Sequence, residues 1–96
     1  QNIINICLSN NIEVILNTFC FYLHEEIKND SLYILYKKIV LEENEIIKNL
    51  AKKNNLKLVD NYSLIPKEDC NFLDFVHFTP KGMNLLAKNI SDVIKN

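Results

Sequence analysis

The stretch FLDFVHFTPKGMNLLAKNI, residues 72–90, holds the side chains best suited to chemistry. Asp74 and His77 stand three apart in an aromatic segment. A carboxylate at that distance can hold an imidazole in one tautomer, which frees the other ring nitrogen to take a proton from a nucleophile. The spacing alone is common in structural settings, so position has to carry part of the weight. Three weaker groupings accompany the pair. His24 with Glu25 and Glu26 has the donor types of a metal site but no second histidine at ligand spacing, and a solvated loop explains it better. Asp60 closes an apolar run and could line the rim of a site, though a turn or capping role explains it better. Cys70 lies four residues before Asp74; a Cys–His nucleophile pair is conceivable, a packed thiol more economical. Phe72, Phe75 and Phe78 suit either a pocket wall or loop anchors.

The elements that position these groups emerge from periodicity. Ile3, Ile4, Cys7 and Leu8 recur at helical spacing, and Asn10-Asn11 supplies a stop. IEVILNT, residues 12–18, is short, β-branched and nearly all apolar, as a buried parallel strand should be. Residues 19–30 lose periodicity and read as a long loop, with Asp30-Ser31 able to cap the next helix. Residues 32–54 read as one long helix or two in tandem, with Ile46, Ile47, Leu50 and Ala51 as its inward stripe. Asn54-Asn55 ends it, and LKLVD, residues 56–60, is a second strand. A loop from Asn61 to Thr79 carries Asp74 and His77. Thr79 as N-cap and Pro80 in the first turn then open a last helix striped by Met83, Leu86, Ala87, Ile90 and Val93. Helices and strands alternate without a hairpin signal, which predicts an α/β parallel sheet. Its sites belong at the carboxyl ends of the strands, where the Asp-x-x-His segment falls.

Bulk properties narrow the function classes. Ninety-six residues make one small domain at most, 48% hydrophobic and 24% charged, with net charge −1. That balance gives no electrostatic reason to expect nucleic acid as a partner. All eleven basic residues are lysine, so no bidentate arginine clamp exists for phosphate or carboxylate. Cys7, Cys20 and Cys70 are odd in number and widely spaced, which fits neither a disulfide framework nor a zinc ribbon. No apolar run approaches the roughly 18 residues of a membrane span. The chain opens at Gln1 inside a periodic apolar run, as expected of a piece of a longer protein.

LDFVHFTPKGMNLLAKNI resembles the last sequence block of the SGNH (GDSL-type) hydrolases, in which Asp-x-x-His precedes a helix with a glycine near its start, here Gly82. NEIIKNLAKKNNLKLVDNYSLI resembles the helix and strand before it, and NNIEVILNT the preceding strand, so the likeness runs through nearly the whole chain in order. It implies a three-layer, flavodoxin-like α/β domain of which residues 1–96 are the C-terminal half, with two strands and about three helices. It also implies serine ester hydrolysis through an acyl-enzyme, with His77 as general base, Asp74 as the residue that orients it, and no metal or organic cofactor. The substrate would be a small-molecule or carbohydrate ester. The departure is equally plain. Ser9, Ser31, Ser63 and Ser91 lack the family's Gly-Asp-Ser context, Gly82 belongs to the last helix, and Asn17 sits on the wrong strand to be the oxyanion asparagine. The pair is therefore expected to act on a serine supplied by a missing N-terminal half. Without that half, one edge of the first strand lacks a neighbour, and the isolated chain is expected to be marginally stable, to aggregate or to dimerise through that edge. Alternatives are a non-catalytic remnant or interaction module of the same fold, and a small α/β domain whose Asp-x-x-His is coincidental.

Overall fold

Two Asn-Asn steps do the same job at two places in the chain. The computed structural model describes residues 1–95. Its first helix, α1 (Asn2–Ser9), and its second, α2 (Ser31–Lys53), each end in a left-handed asparagine, Asn11 at φ 60° and Asn55 at φ 53°. Behind each, the chain closes the same pair of bonds. Ile12 N–H donates to Cys7 O at 2.8 Å and Asn11 N–H to Leu8 O at 3.2 Å; Leu56 N–H donates to Ala51 O at 2.8 Å and Asn55 N–H to Lys52 O at 3.3 Å. These are Schellman closures, which asparagine tolerates better than other non-glycine residues because its short amide eases the left-handed backbone. A strand follows each within a few residues.

The strands are β1 (Ile15–Asn17) and β2 (Lys57–Val59), parallel and in register Ile15↔Lys57, Leu16↔Leu58 and Asn17↔Val59. Both are shorter than the expected 12–18 and 56–60, since each has only the other to pair with and a ladder ends where its partner does. The connection through α2 makes a βαβ unit. One unbroken helix spans the region where one or two were expected, started by Asp30, whose Oδ1 accepts from Leu32 N–H at 2.9 Å. Its inward stripe differs in part from the expected one: Ala51 and Asn44 are buried, Ile47 and Leu50 half-buried, and Ile46 stays 59% exposed.

The segment expected to be a 19-residue loop is more ordered than that. A one-turn helix, α3 (Asn61–Leu64), and a 3-10 turn (Asp69–Asn71) interrupt it, and an antiparallel bridge between Phe72 and Phe78 closes the remainder into a hairpin-like loop. The last helix, α4 (Pro80–Lys95), starts as expected, with Thr79 Oγ1 accepting from Gly82 N–H at 3.1 Å. Its buried line is rotated from the expected stripe: Gly82, Leu85, Leu86, Asn89 and Ile90 face inward, while Met83 and Ala87 are exposed. Gly82 fixes that rotation. A Cβ there would overlap the carbonyl of Asn71 and lie 2.9 Å from Phe78 Cδ1, so α4 reaches the 3-10 turn only because residue 82 has no side chain. The core under the loop is Cys20, Ile65 and Phe72, with Tyr22, Phe78, Leu85 and Leu86 packed against it. No described helix is long and apolar enough to cross a membrane.

Candidate active site

Asp74 and His77 meet at the tip of the loop that the Phe72–Phe78 bridge closes. Leu73 N–H donates to His77 O at 2.7 Å, which tightens the turn. Asp74 Oδ1 accepts from the backbone N–H of Val76 at 3.0 Å and of His77 at 2.8 Å, an aspartate turn built into the loop. The same carboxylate lies 3.0 and 2.9 Å from His77 Nδ1 through its two oxygens. A carboxylate only accepts, so Nδ1 carries the proton and Nε2 of the neutral ring keeps its lone pair. The His77 N–H, the His77 ring and the Val76 N–H together pull the Asp74 carboxyl down to about 2, which keeps it ionised through the neutral range. The His77 side chain is 72% exposed, so the ring projects into solvent and not into the core. Nε2 has no hydrogen-bond partner among the described residues.

The loop is held from below. Asn71 is buried; its Nδ2 donates to Pro66 O at 3.0 Å and its carbonyl accepts from Thr79 N–H at 3.1 Å. Thr79 Oγ1 donates to Cys70 O at 2.6 Å. Phe72 stacks on Tyr22 and Phe78 at centroid distances of 5.5 and 5.1 Å, and Phe75 packs on Phe21 at 5.3 Å and Tyr33 at 5.2 Å. Phe72 is thus an anchor, whereas Phe75 and Phe78 both anchor the loop and line the clefts on its two sides.

The remaining candidates fall elsewhere. His24 is half-buried and not solvated as expected: its Nε2 lies 3.2 Å from Phe72 O, and its ring meets Tyr22 edge-on at 4.6 Å. Glu25 pairs with Lys28 at 2.9 Å. Among the described residues no three His, Cys, Asp or Glu side chains gather as a metal site would require. Asp60 stands at the head of α3 but its side chain does not cap that helix; its carboxylate accepts from Thr18 Oγ1 and Ser63 Oγ at 2.8 Å each, tying the end of β1 to the end of β2. Partial burial pushes its carboxyl up, but the two hydroxyls and the Lys48 charge outweigh that and leave it below the usual range. Cys70 is exposed, contrary to the packed thiol expected, because the 3-10 turn directs it outward to within 3.4 Å of both Glu68 Oε2 and Lys81 Nζ. All three cysteines are free thiols.

Two residues that sequence reasoning passed over support the site. Asn44, 2% exposed in the middle of α2, mimics a strand: its Oδ1 accepts from Phe19 N–H at 2.7 Å and its Nδ2 donates to Phe19 O at 2.9 Å. It pins the loop after β1. Its signal was legible, since it stands three and seven residues before Ile47 and Ala51, in register with the inward face. Asn61, also buried, donates to Asn17 Oδ1 at 3.0 Å and accepts from Asn89 Nδ2 at 3.2 Å, joining β1, α3 and α4.

This arrangement of parallel strands and helices recurs in solved structures. A GDSL-like lipase from Bacteroides thetaiotaomicron matches 98% of this chain with a TM-score of 0.75 at 21% identity, over 48% of its own chain. A proposed acylhydrolase from Bacteroides fragilis matches 98% of this chain with a TM-score of 0.75 at 22% identity, over 47% of its own. No family model matches the sequence, and no curated protein matches it. The chain therefore has the α/β fold of the C-terminal portion of GDSL-type hydrolases and spans about half the length of the structures it resembles.

Proposed function

We propose that these residues are the C-terminal half of an SGNH (GDSL-type) serine ester hydrolase domain, with His77 as general base and Asp74 as its orienting partner. The observation that carries this reading is the Asp74 carboxylate 2.9 Å from His77 Nδ1, with the far ring nitrogen unpartnered among the described residues, on a loop beyond the carboxyl end of a parallel strand. In this reading Nε2 accepts the proton of a serine hydroxyl from the N-terminal half as the serine oxygen bonds to the ester carbonyl carbon. Nε2 returns that proton to the departing alkoxide, and water then cleaves the acyl-serine with the same base. Asp74 keeps Nδ1 protonated and stabilises the transient imidazolium.

The test uses the polypeptide that carries both halves. His77→Ala lowers kcat on para-nitrophenyl acetate by a factor on the order of 10³ or more, and Asp74→Asn lowers it by less, because the loop still positions the ring. Residues 1–96 alone show no turnover above their own His77→Ala control, since they lack a nucleophile in the right context. An active parent indifferent to His77→Ala overturns the reading.

A further inference from the structure

The loop that carries Asp74 and His77 leaves the body of the molecule at the 3-10 turn (Asp69–Asn71) and returns to it at the first turn of α4. Each side of that neck presents a nucleophile that the proposed hydrolysis does not use. Cys70 Sγ, on the outgoing side, lies 3.4 Å from Lys81 Nζ, on the returning side. Both residues are exposed, and Cys70 is a free thiol. We propose that Cys70 and Lys81 form an oxidative cross-linking site, at which a peroxide joins Sγ to Nζ and so clasps the neck of the loop.

The backbone fixes the approach. Thr79 Oγ1 donates to Cys70 O at 2.6 Å and Thr79 N–H to Asn71 O at 3.1 Å, and the missing side chain of Gly82 lets α4 abut the Asn71 carbonyl. Main-chain contacts thus bring thiol and amine together, and not the reach of a long side chain alone. The partners of each group also suit the reaction. Lys81 makes no ion pair among the described residues, and its Nζ has Cys70 Sγ as its one hydrogen-bond partner there. Sγ in turn donates to Glu68 Oε2 at 3.4 Å, so a carboxylate stands ready to take the thiol proton. The chemistry then balances in two steps. A sulfur electron pair attacks one peroxide oxygen; an S–O bond forms, the O–O bond breaks, and the other oxygen leaves as water with the thiol proton, giving a sulfenic acid. The neutral Lys81 amine next attacks sulfur; an S–N bond forms, the S–O bond breaks, and the hydroxide leaves as water with a proton from nitrogen. Sulfur is oxidised by two electrons while one peroxide is reduced to two waters. A sulfenic acid condenses with a backbone nitrogen in the same way; here a side-chain nitrogen is already in contact. The bond closes a ring around Asp74 and His77, which removes the conformations in which the neck is open.

The experiment treats the full polypeptide that carries these residues with excess hydrogen peroxide and reads its tryptic peptides by mass spectrometry. The exposed Met83 is first replaced, Met83→Leu, so that its own oxidation adds no mass. Trypsin cuts after a free Lys81 and not after a cross-linked one. The expected product is therefore a single peptide from Glu68 to Lys88, two hydrogens lighter than its sequence and restored by a thiol reductant. Lys81→Arg keeps the charge beside the thiol but removes the amine, so the lighter peptide is lost and cleavage at that position returns; Cys70→Ser abolishes it as well. Amide exchange at Val76 and His77 slows about tenfold in the cross-linked protein and recovers with the reductant. Undiminished cleavage after Lys81, Cys70 recovered as a sulfinic acid or a disulfide in the protein that keeps Lys81, or a lighter peptide that persists in Lys81→Arg overturns the site. A cross-link that leaves exchange at Val76 and His77 unchanged overturns the clasp. None of these outcomes bears on the hydrolase reading, which stands or falls with His77→Ala.

Discussion

The platform beneath the Asp74–His77 loop and the flank formed by the outward faces of α1 and of the first half of α2 are both rich in apolar residues and end up in opposite states. In the platform Val59, Ile65, Asn71 and Phe72 are all but inaccessible, and the buried side-chain polar atoms have partners. On the flank Ile3 is 78% exposed, and Ile6, Leu32, Ile34, Leu35 and Ile39 are exposed with it. The chain is correspondingly drawn out, 46 × 27 × 16 Å with a radius of gyration of 14.9 Å, against about 13 Å for a compact domain of 100 residues. Composition does not separate the two regions. The platform has α4, α3 and β2 to pack on, whereas the outward apolar side chains of α1 and of the first half of α2 meet no second layer among the described residues. An apolar side chain is buried only when another surface of the molecule is there to meet it.

The contrast is most easily undone at Gly82. Gly82→Ala puts a methyl group into the Asn71 backbone and against Phe78, and overpacking of that kind costs about 3 kcal/mol. Urea unfolding should show that loss together with reduced loop order, whereas Ala87, exposed one turn on in the same helix, should tolerate Ala→Ser within about 0.5 kcal/mol. Asn44→Ala comes next. It strips both side-chain partners from the backbone of Phe19, a loss of about 2 kcal/mol for the two bonds, and amide exchange at Phe19 should accelerate with it.

The loop itself has an acid limit. The Asp74 carboxyl is lowered from 3.8 to about 2 in the folded chain, so its support of the loop is complete above the unfolded value and disappears as pH falls through the folded one. Amide protection at Val76 and His77 should hold at neutral pH and fade between about 4 and about 2, and Asp74→Asn should remove that titration. The smallest effect belongs to the flank. Ile34→Ala should change the stability of residues 1–96 by less than about 0.5 kcal/mol, because Ile34 is already half in water. In the longer polypeptide the same change should cost about 2 kcal/mol if the N-terminal half covers that face. Equal costs in both would mean that the flank is a true surface. The uncovered β1 edge also predicts dimerisation or aggregation of the isolated chain, which a concentration-independent melt above about 50 °C would contradict.

Much of this was legible in the residues, and for a common reason. The two Asn-Asn stops, the Asp30 and Thr79 caps, Pro80 at the head of α4 and the Asp74–His77 spacing all act within a few residues of themselves. Local sterics and short hydrogen bonds decide them, so one-dimensional order suffices. The inward faces of α2 and α4 were read less well, because periodicity gives the existence of a stripe but not which surface will meet it. Met83 and Ala87 fit a helical stripe as well as Leu85 and Asn89 do, and only the close approach of Gly82 to Asn71 turns α4 to bury the latter pair. The order inside residues 61–79 was invisible for a similar reason: the Phe72–Phe78 bridge and the Asn71 contacts link residues whose types carry no pairing signal. Element order, helix ends and the Asp74–His77 pair were thus written in the chain itself, all of them short-range matters. Three-dimensional packing was needed to expose Cys70, to bury Asn61, and to set a cleft on either side of the Asp74–His77 loop, because burial depends on which distant surfaces come together.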